Sequence, residues 1–172
     1  PFVLRFQEAL FSLGTVFLTY FIGRLFFGQA IALIASLIYG SSFYIVIIGK
    51  LAIFDAHLYF FMLLSLYLIL LTLHRPNVSQ RVFILAGIAT GLGILSKGPI
   101  SLVQQLLFLG PYLLLIKRLN LLKSVWLWIG LGVSIIIPSP WYIAQLLEHG
   151  QPFFDIALKD YTWHRFFGVV EN

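Results

Sequence analysis

The sequence has no cysteine and, in 172 residues, a single methionine. Without cysteine the chain has no disulfide framework and no thiolate-bound metal, and its redox compartment stays open. Charge is scarce too. Only 10% of residues are Asp, Glu, Lys or Arg, against 60% hydrophobic, whereas soluble domains carry about 25% charged residues. A water-soluble core cannot absorb that much apolar surface, and with a mean hydropathy of +0.99 the chain reads as a polytopic membrane protein. Glycine-rich nucleotide loops and nucleophile elbows are absent, which argues against a soluble nucleotide-sugar donor. The net charge of +5 is spread over short turns, so it is a membrane-topology signal and nucleic acid is not an expected partner. The chain opens Pro1-Phe2-Val3 and stops within a polar stretch at Glu171-Asn172; a piece of a longer protein is the expectation.

What is present is six apolar runs: Ala9–Phe27, Ala30–Gly49, Leu58–Leu73, Val82–Leu95, Ile100–Ile116 and Val125–Tyr142. A spanning helix needs roughly 20 apolar residues. Runs three and four are short by that measure, and their helices are expected to borrow residues from the flanking turns. Gly87, Gly91 and Gly93 in the fourth run suit close helix contact, with Gly87-x-x-x-Gly91 as a small-xxx-small pattern. Pro138 and Pro140 are expected to end or kink the sixth helix. The fold class is therefore all-α: a polytopic helical bundle of about six transmembrane helices, with residues 1–144 as the core and 145–172 as the start of an extracytoplasmic amphipathic loop rich in aromatics.

If each helix reverses the side, the connections alternate between two faces. One holds Arg24, Arg75, Arg81, Lys117, Arg118 and Lys123 with no acid; the other holds Arg5, Lys50, Lys97, Lys159 and Arg165 with Glu8, Asp55, Glu148, Asp155, Asp160 and Glu171. By the positive-inside rule the acid-free face is cytoplasmic. Asp55, Lys97 and the C-terminal stretch then face a periplasm, an exterior or a lumen.

Four residues on that face are candidate substrate contacts. Lys97, in Leu95-Ser96-Lys97-Gly98-Pro99, is a cation between two apolar runs. It either meets an anion such as a phosphate or snorkels to headgroups, and the Gly-Pro break behind it favours a cavity wall. Asp55 can accept hydrogen bonds from a sugar hydroxyl or act as a base, or simply cap a helix or pair with Lys50. Arg5 and Arg165 stand beside aromatics, suited to clamping a phosphate or anchoring to lipid headgroups. His57, His149 and His164 show no paired spacing such as His-x-x-x-His, so no metal site is assigned.

The outer Asp55 followed by a helix, the phrase Gly91-Leu92-Gly93-Ile94-Leu95-Ser96-Lys97-Gly98-Pro99, and Pro140-Trp141-Tyr142 ahead of Arg165-Phe166 occur in this order. Arg5, Gly14 and Gly23-Arg24-Leu25-Phe26-Phe27-Gly28 precede them. Together they resemble the membrane glycosyltransferases of the GT-C type, in the branch with the aminoarabinose transferase of lipid A and the protein O-mannosyltransferases. The resemblance implies transfer of a sugar from a polyprenyl-phosphate carrier to a lipid, glycan or protein acceptor on the outer face of a membrane, with a bacterial inner membrane as the expected location. It puts Lys97 near the carrier phosphate, Asp55 near the sugar or acceptor, and Arg165 on a loop closing over the cavity.

The family's catalytic acidic pair belongs to a first outer loop, upstream of Pro1, so no catalytic residue is assigned in this chain. Some members place a metal-binding His just before the later Arg-Phe. Here Thr162 stands about there, with His164 two residues on; no cofactor is assigned, and a divalent metal in the full-length protein stays open. A rival reading is a secondary transporter or flippase using Asp55 and Lys97 as a charge pair.

Overall fold

The computed structural model describes residues 2–43, 45 and 55–154, and all the regular structure among them is helical. The elements are α1 Phe2–Phe27, α2 Gln29–Ser41, α3 Asp55–His74, α4 Val82–Lys97, α5 Ile100–Leu115, a 3-10 segment Leu119–Lys123, α6 Val125–Ile136, α7 Ser139–His149 and a last short turn, α8, Gln151–Phe154. Among the described residues each apolar run is helical over most of its length, and the chain is an all-α integral membrane bundle. Arg5–Phe27, Asp55–His74 and Val125–His149 are each long and apolar enough to cross a membrane. The other three helices, of 13, 16 and 16 residues, reach about 20–24 Å at 1.5 Å per residue, short of a hydrocarbon core of about 30 Å.

The helix boundaries follow local chemistry. As expected for a short run, α3 takes in Asp55, Ala56 and His57 ahead of Leu58 and closes on His74. Within the second run, Ala30–Gly49, α2 closes at Ser41 and the chain bends at Ser42, with residues 43 and 45 helical again. Ser41 and Ser42 turn their hydroxyls back onto the carbonyls of Ile38 and Tyr39, at 3.2 and 2.8 Å, competing with the helical ladder. Residues 44 and 46–54 lie outside the described residues. The sixth run breaks at Ile137-Pro138, where α6 ends and α7 restarts with a proline in its first turn, as the two prolines predict.

Packing sets the order. α1 and α2 form a hairpin through Gly28, whose φ of 82° only glycine adopts without strain. α3 lies against α1 and α4, and α4 lies against α6. The α4–α6 contact is made backbone to backbone: a Cβ on Gly87 would overlap the carbonyl of Gly130, and one on Gly130 would overlap that of Phe83. This is the close approach the Gly87-x-x-x-Gly91 spacing predicts. Polar side chains tie the interior, with Ser65 Oγ 2.8 Å from Thr90 Oγ1 and Gln105 Nε2 donating to the Met62 carbonyl at 2.9 Å.

The main apolar cluster is Ile69, Leu70, Leu73, Phe83, Ala86 and Leu113, flanked by Ile22, Leu25 and Trp126. It gathers the C-terminal halves of α1, α3 and α5 with the starts of α4 and α6, so these ends share one side of the bundle. Large apolar side chains such as Leu37, Leu107 and Leu115 project outward; lipid or other membrane helices suit them where water does not.

Candidate functional site

The opposite end of the bundle, away from that cluster, is where the sequence's candidate residues meet. Asp55 sits in the first turn of α3 and Lys97 in the last turn of α4. Each position favours its charge, since a helix presents partial positive charge at its N-terminus and partial negative charge at its C-terminus. Lys97 Nζ donates to Asp55 Oδ1, closing an ion pair between the two helices. The Asp55 side chain is 17% exposed and that of Lys97 43%, so the cation is the accessible partner.

The turn behind Lys97 explains why it stands where it does. Gly98 has φ 83°, and its N–H bonds the Ile94 carbonyl at 2.8 Å, ending α4. Pro99 follows, and its carbonyl accepts from Leu102 and Val103 at 3.0 and 3.2 Å, starting α5. The chain thus reverses in two residues and leaves Lys97 at the tip. Tyr142 of α7 reaches the same turn, with its hydroxyl 3.7 Å from where a side chain at Gly98 would begin. Trp141 packs edge-on against Tyr142, with ring centroids 4.9 Å apart, and Phe153 closes on both.

A second polar group lies beside this pair. Glu8 of α1 is 4% exposed. Its Oε1 lies 3.0 Å from His57 Nδ1, and its Oε2 is buried with no hydrogen-bond partner among the described residues. Gln7 Nε2 is 3.0 Å from His57 Nε2, and the Phe11 ring lies over the imidazole at 4.0 Å between centroids. Sequence reasoning assigned neither Glu8 nor Gln7 a role and weighed His57 only as a metal ligand. The available signal was an acid inside α1, one residue ahead of the first apolar run.

Of the four candidate substrate contacts, the structure brings Asp55 and Lys97 together. Arg5 lies on α1 one turn before Glu8, exposed at the same end. Arg165 lies outside the described residues, as do Lys50, Thr162 and His164. Among the described residues no three His, Asp or Glu side chains converge as a metal site requires. The arrangement offers an accessible point-charge cation for an anion, a carboxylate beside it able to accept from hydroxyls, and a phenol at the turn.

A polytopic helical membrane protein with an ion pair and aromatics gathered at one end of the bundle is the class these features define. Residues 1–154 match the dolichyl-phosphate-mannose-protein mannosyltransferase family, and the chain belongs to that family, as Leu95-Ser96-Lys97-Gly98-Pro99 and its companion motifs implied. An uncharacterized protein of Aquifex aeolicus is 32% identical over 91% of this chain and 31% of its own length. Proteins named undecaprenyl phosphate-alpha-4-amino-4-deoxy-L-arabinose arabinosyl transferase, from Yersinia enterocolitica and Aeromonas hydrophila, are each 27% identical over 98% of this chain and 29% of their own length. The chain therefore spans less than a third of these relatives. No solved structure matches it.

Proposed function

We propose that the protein of which this chain is part transfers a sugar from a polyprenyl-phosphate carrier to an acceptor on the outer face of the membrane. The observation that carries this reading is the Asp55–Lys97 pair at the tip of the α4–α5 turn, in a chain whose relatives are named for transfer from undecaprenyl phosphate. The outer location rests on charge. The loops at the His74 end hold Arg75, Arg81, Lys117, Arg118 and Lys123 and no acid, the pattern of a cytoplasmic face. The outer loop expected over 145–172 is then entered through α7, which stays helical to His149.

In the proposed reaction a carboxylate outside this chain takes the acceptor's proton. The acceptor oxygen bonds the anomeric carbon as the bond from that carbon to the phosphate oxygen breaks. Polyprenyl phosphate leaves with the electron pair, and Lys97 stabilises the charge growing on it. Asp55 accepts hydrogen bonds from the sugar or acceptor, and Arg5 and Arg165 add positive charge around the phosphate. A transporter using the same charge pair is the weaker reading, because such charges belong near the middle of the spans and Asp55 and Lys97 sit at helix ends.

Lys97→Ala in the full-length protein tests the role. In membranes given labelled lipid-linked sugar, transfer is expected to fall by about a hundredfold or more, the usual effect of removing a charge-stabilising donor, while insertion is retained. Transfer at the wild-type rate would remove Lys97 from the site.

A further inference from the structure

We propose that Glu8 and His57 are a positioning pair that holds the start of α3 so that Asp55 is presented to Lys97. A carboxylate as buried as Glu8 is costly in a bundle interior unless it is paired. It lies on α1, a helix whose neighbouring positions are otherwise apolar over Ala9–Leu13 apart from Ser12. Its partner is His57, with Oε1 and Nδ1 3.0 Å apart.

The Glu8 carboxylate stands 3.0 Å from Nδ1 as an ion-pair contact outside hydrogen-bond geometry, and Gln7 Nε2 lies 3.0 Å from Nε2, to which it donates when that ring nitrogen carries no proton. Glu8 and Gln7 thus grip the two ring nitrogens from one helix, and Phe11 covers the ring face.

The geometry of α3 gives that grip a consequence. Residues two apart on a helix point about 200° apart. Asp55 therefore turns to Lys97 on α4 while His57 turns to Glu8 on α1. The first turn of α3 is held from both sides by polar ties two residues apart, and its rotation about its own axis is fixed. If the His57 tie is lost, the α1 side gives up a polar contact that bears on where the Asp55 carboxylate points. Apolar packing would still hold α1 against α3 through Phe11, Phe60 and Phe61, so position and folding are separable.

The test uses the full-length protein with Glu8→Leu/His57→Phe, an apolar pair of the kind that commonly replaces a buried ionic one without loss of stability, and with Glu8→Gln, which keeps an acceptor oxygen for the imidazole. Acetylation by acetic anhydride, quantified by mass spectrometry at Lys97 relative to Lys123, reports how firmly Asp55 holds the amine. The double variant is expected to keep the wild-type melting temperature, raise relative Lys97 labelling by roughly threefold as a charge-assisted bond loosens, and lower kcat by about tenfold, as small misplacements do. Glu8→Gln is expected to stay near wild type in all three.

Wild-type labelling and kcat in the double variant would reduce the pair to packing. A fall in melting temperature with all lysines labelled faster would make its role structural only. A loss in Glu8→Gln equal to that in the double variant would assign the effect to charge. Each of these overturns the proposal. The kcat arm rests on the transferase reading, but the labelling arm does not, so a protein without transfer activity still decides whether the pair positions Asp55.

Discussion

At the scale of single residues, Asp55 and Lys97 answer each other's charge, and that has a kinetic consequence for the proposed function. A donor phosphate arriving at Lys97 competes with the Asp55 carboxylate for the same ammonium. Ion pairs near a surface contribute about 0–1 kcal/mol, so the competition is worth up to about fivefold in donor affinity. Asp55→Asn removes the competing charge while leaving a weaker partner for hydroxyls. Its expected signature is a split: KM for the lipid-linked donor falls or holds, while kcat drops. Lys97→Ala is expected to raise that KM. Saturation curves with labelled donor measure both, and an Asp55→Asn protein whose KM rises as far as that of Lys97→Ala would end the idea that the two anions are rivals.

The same residues show how much of the site was readable in sequence. Asp55 and Lys97 stood out because each is a charge at the edge of an apolar run, and counting charges by loop put them on one face. Their pairing follows only from α3 and α4 being adjacent and antiparallel, which is a property of packing. Glu8 and His57 were legible as an acid and an imidazole, but 49 positions separate them. Reading the first span from Ala9 left Glu8 in a flank, whereas α1 begins at Phe2 and encloses it.

At the scale of elements, composition located the helices and local chemistry decided where they stop. The break at Ser41-Ser42 was not anticipated, because a serine pair inside an apolar run reads as membrane-compatible until its hydroxyls are seen to bond back to the backbone. The α4–α6 contact was anticipated in kind, from glycine spacing, but its partner Gly130 was not, since nothing in a sequence says which helices touch. That contact makes a prediction. Gly87→Val places side-chain atoms against the Gly130 carbonyl, forcing two backbones apart, and overpacking of this sort costs about 1–3 kcal/mol. Gly132, on the same helix as Gly130, has open space where a Cβ would go. Thermal unfolding in detergent should therefore show Gly87→Val well below wild type and Gly132→Ala unchanged; equal melting temperatures for all three proteins would mean that α4 and α6 do not meet at these glycines.

At the scale of the whole molecule, the two ends of the bundle differ in kind. The His74 end has the large apolar cluster and a rim of cations in its loops; the Asp55 end has an accessible lysine, two carboxylates, an imidazole and an aromatic group from α7. A site built at the second end works on a lipid-linked donor only if that end faces the compartment where the donor's sugar is presented, so orientation is the property on which the proposed function most depends. The absence of cysteine makes it measurable, because this chain adds no background thiol. Asn77→Cys lies in the α3–α4 loop at the His74 end, and His149→Cys lies at the last residue of α7. In intact cells a membrane-impermeant maleimide is expected to label His149→Cys at once and Asn77→Cys only after the membrane is permeabilised, because the cationic loops stay inside. The reverse pattern would turn the bundle over, place Asp55 and Lys97 in the cytoplasm, and remove the outer-face reaction along with the orientation that supports it.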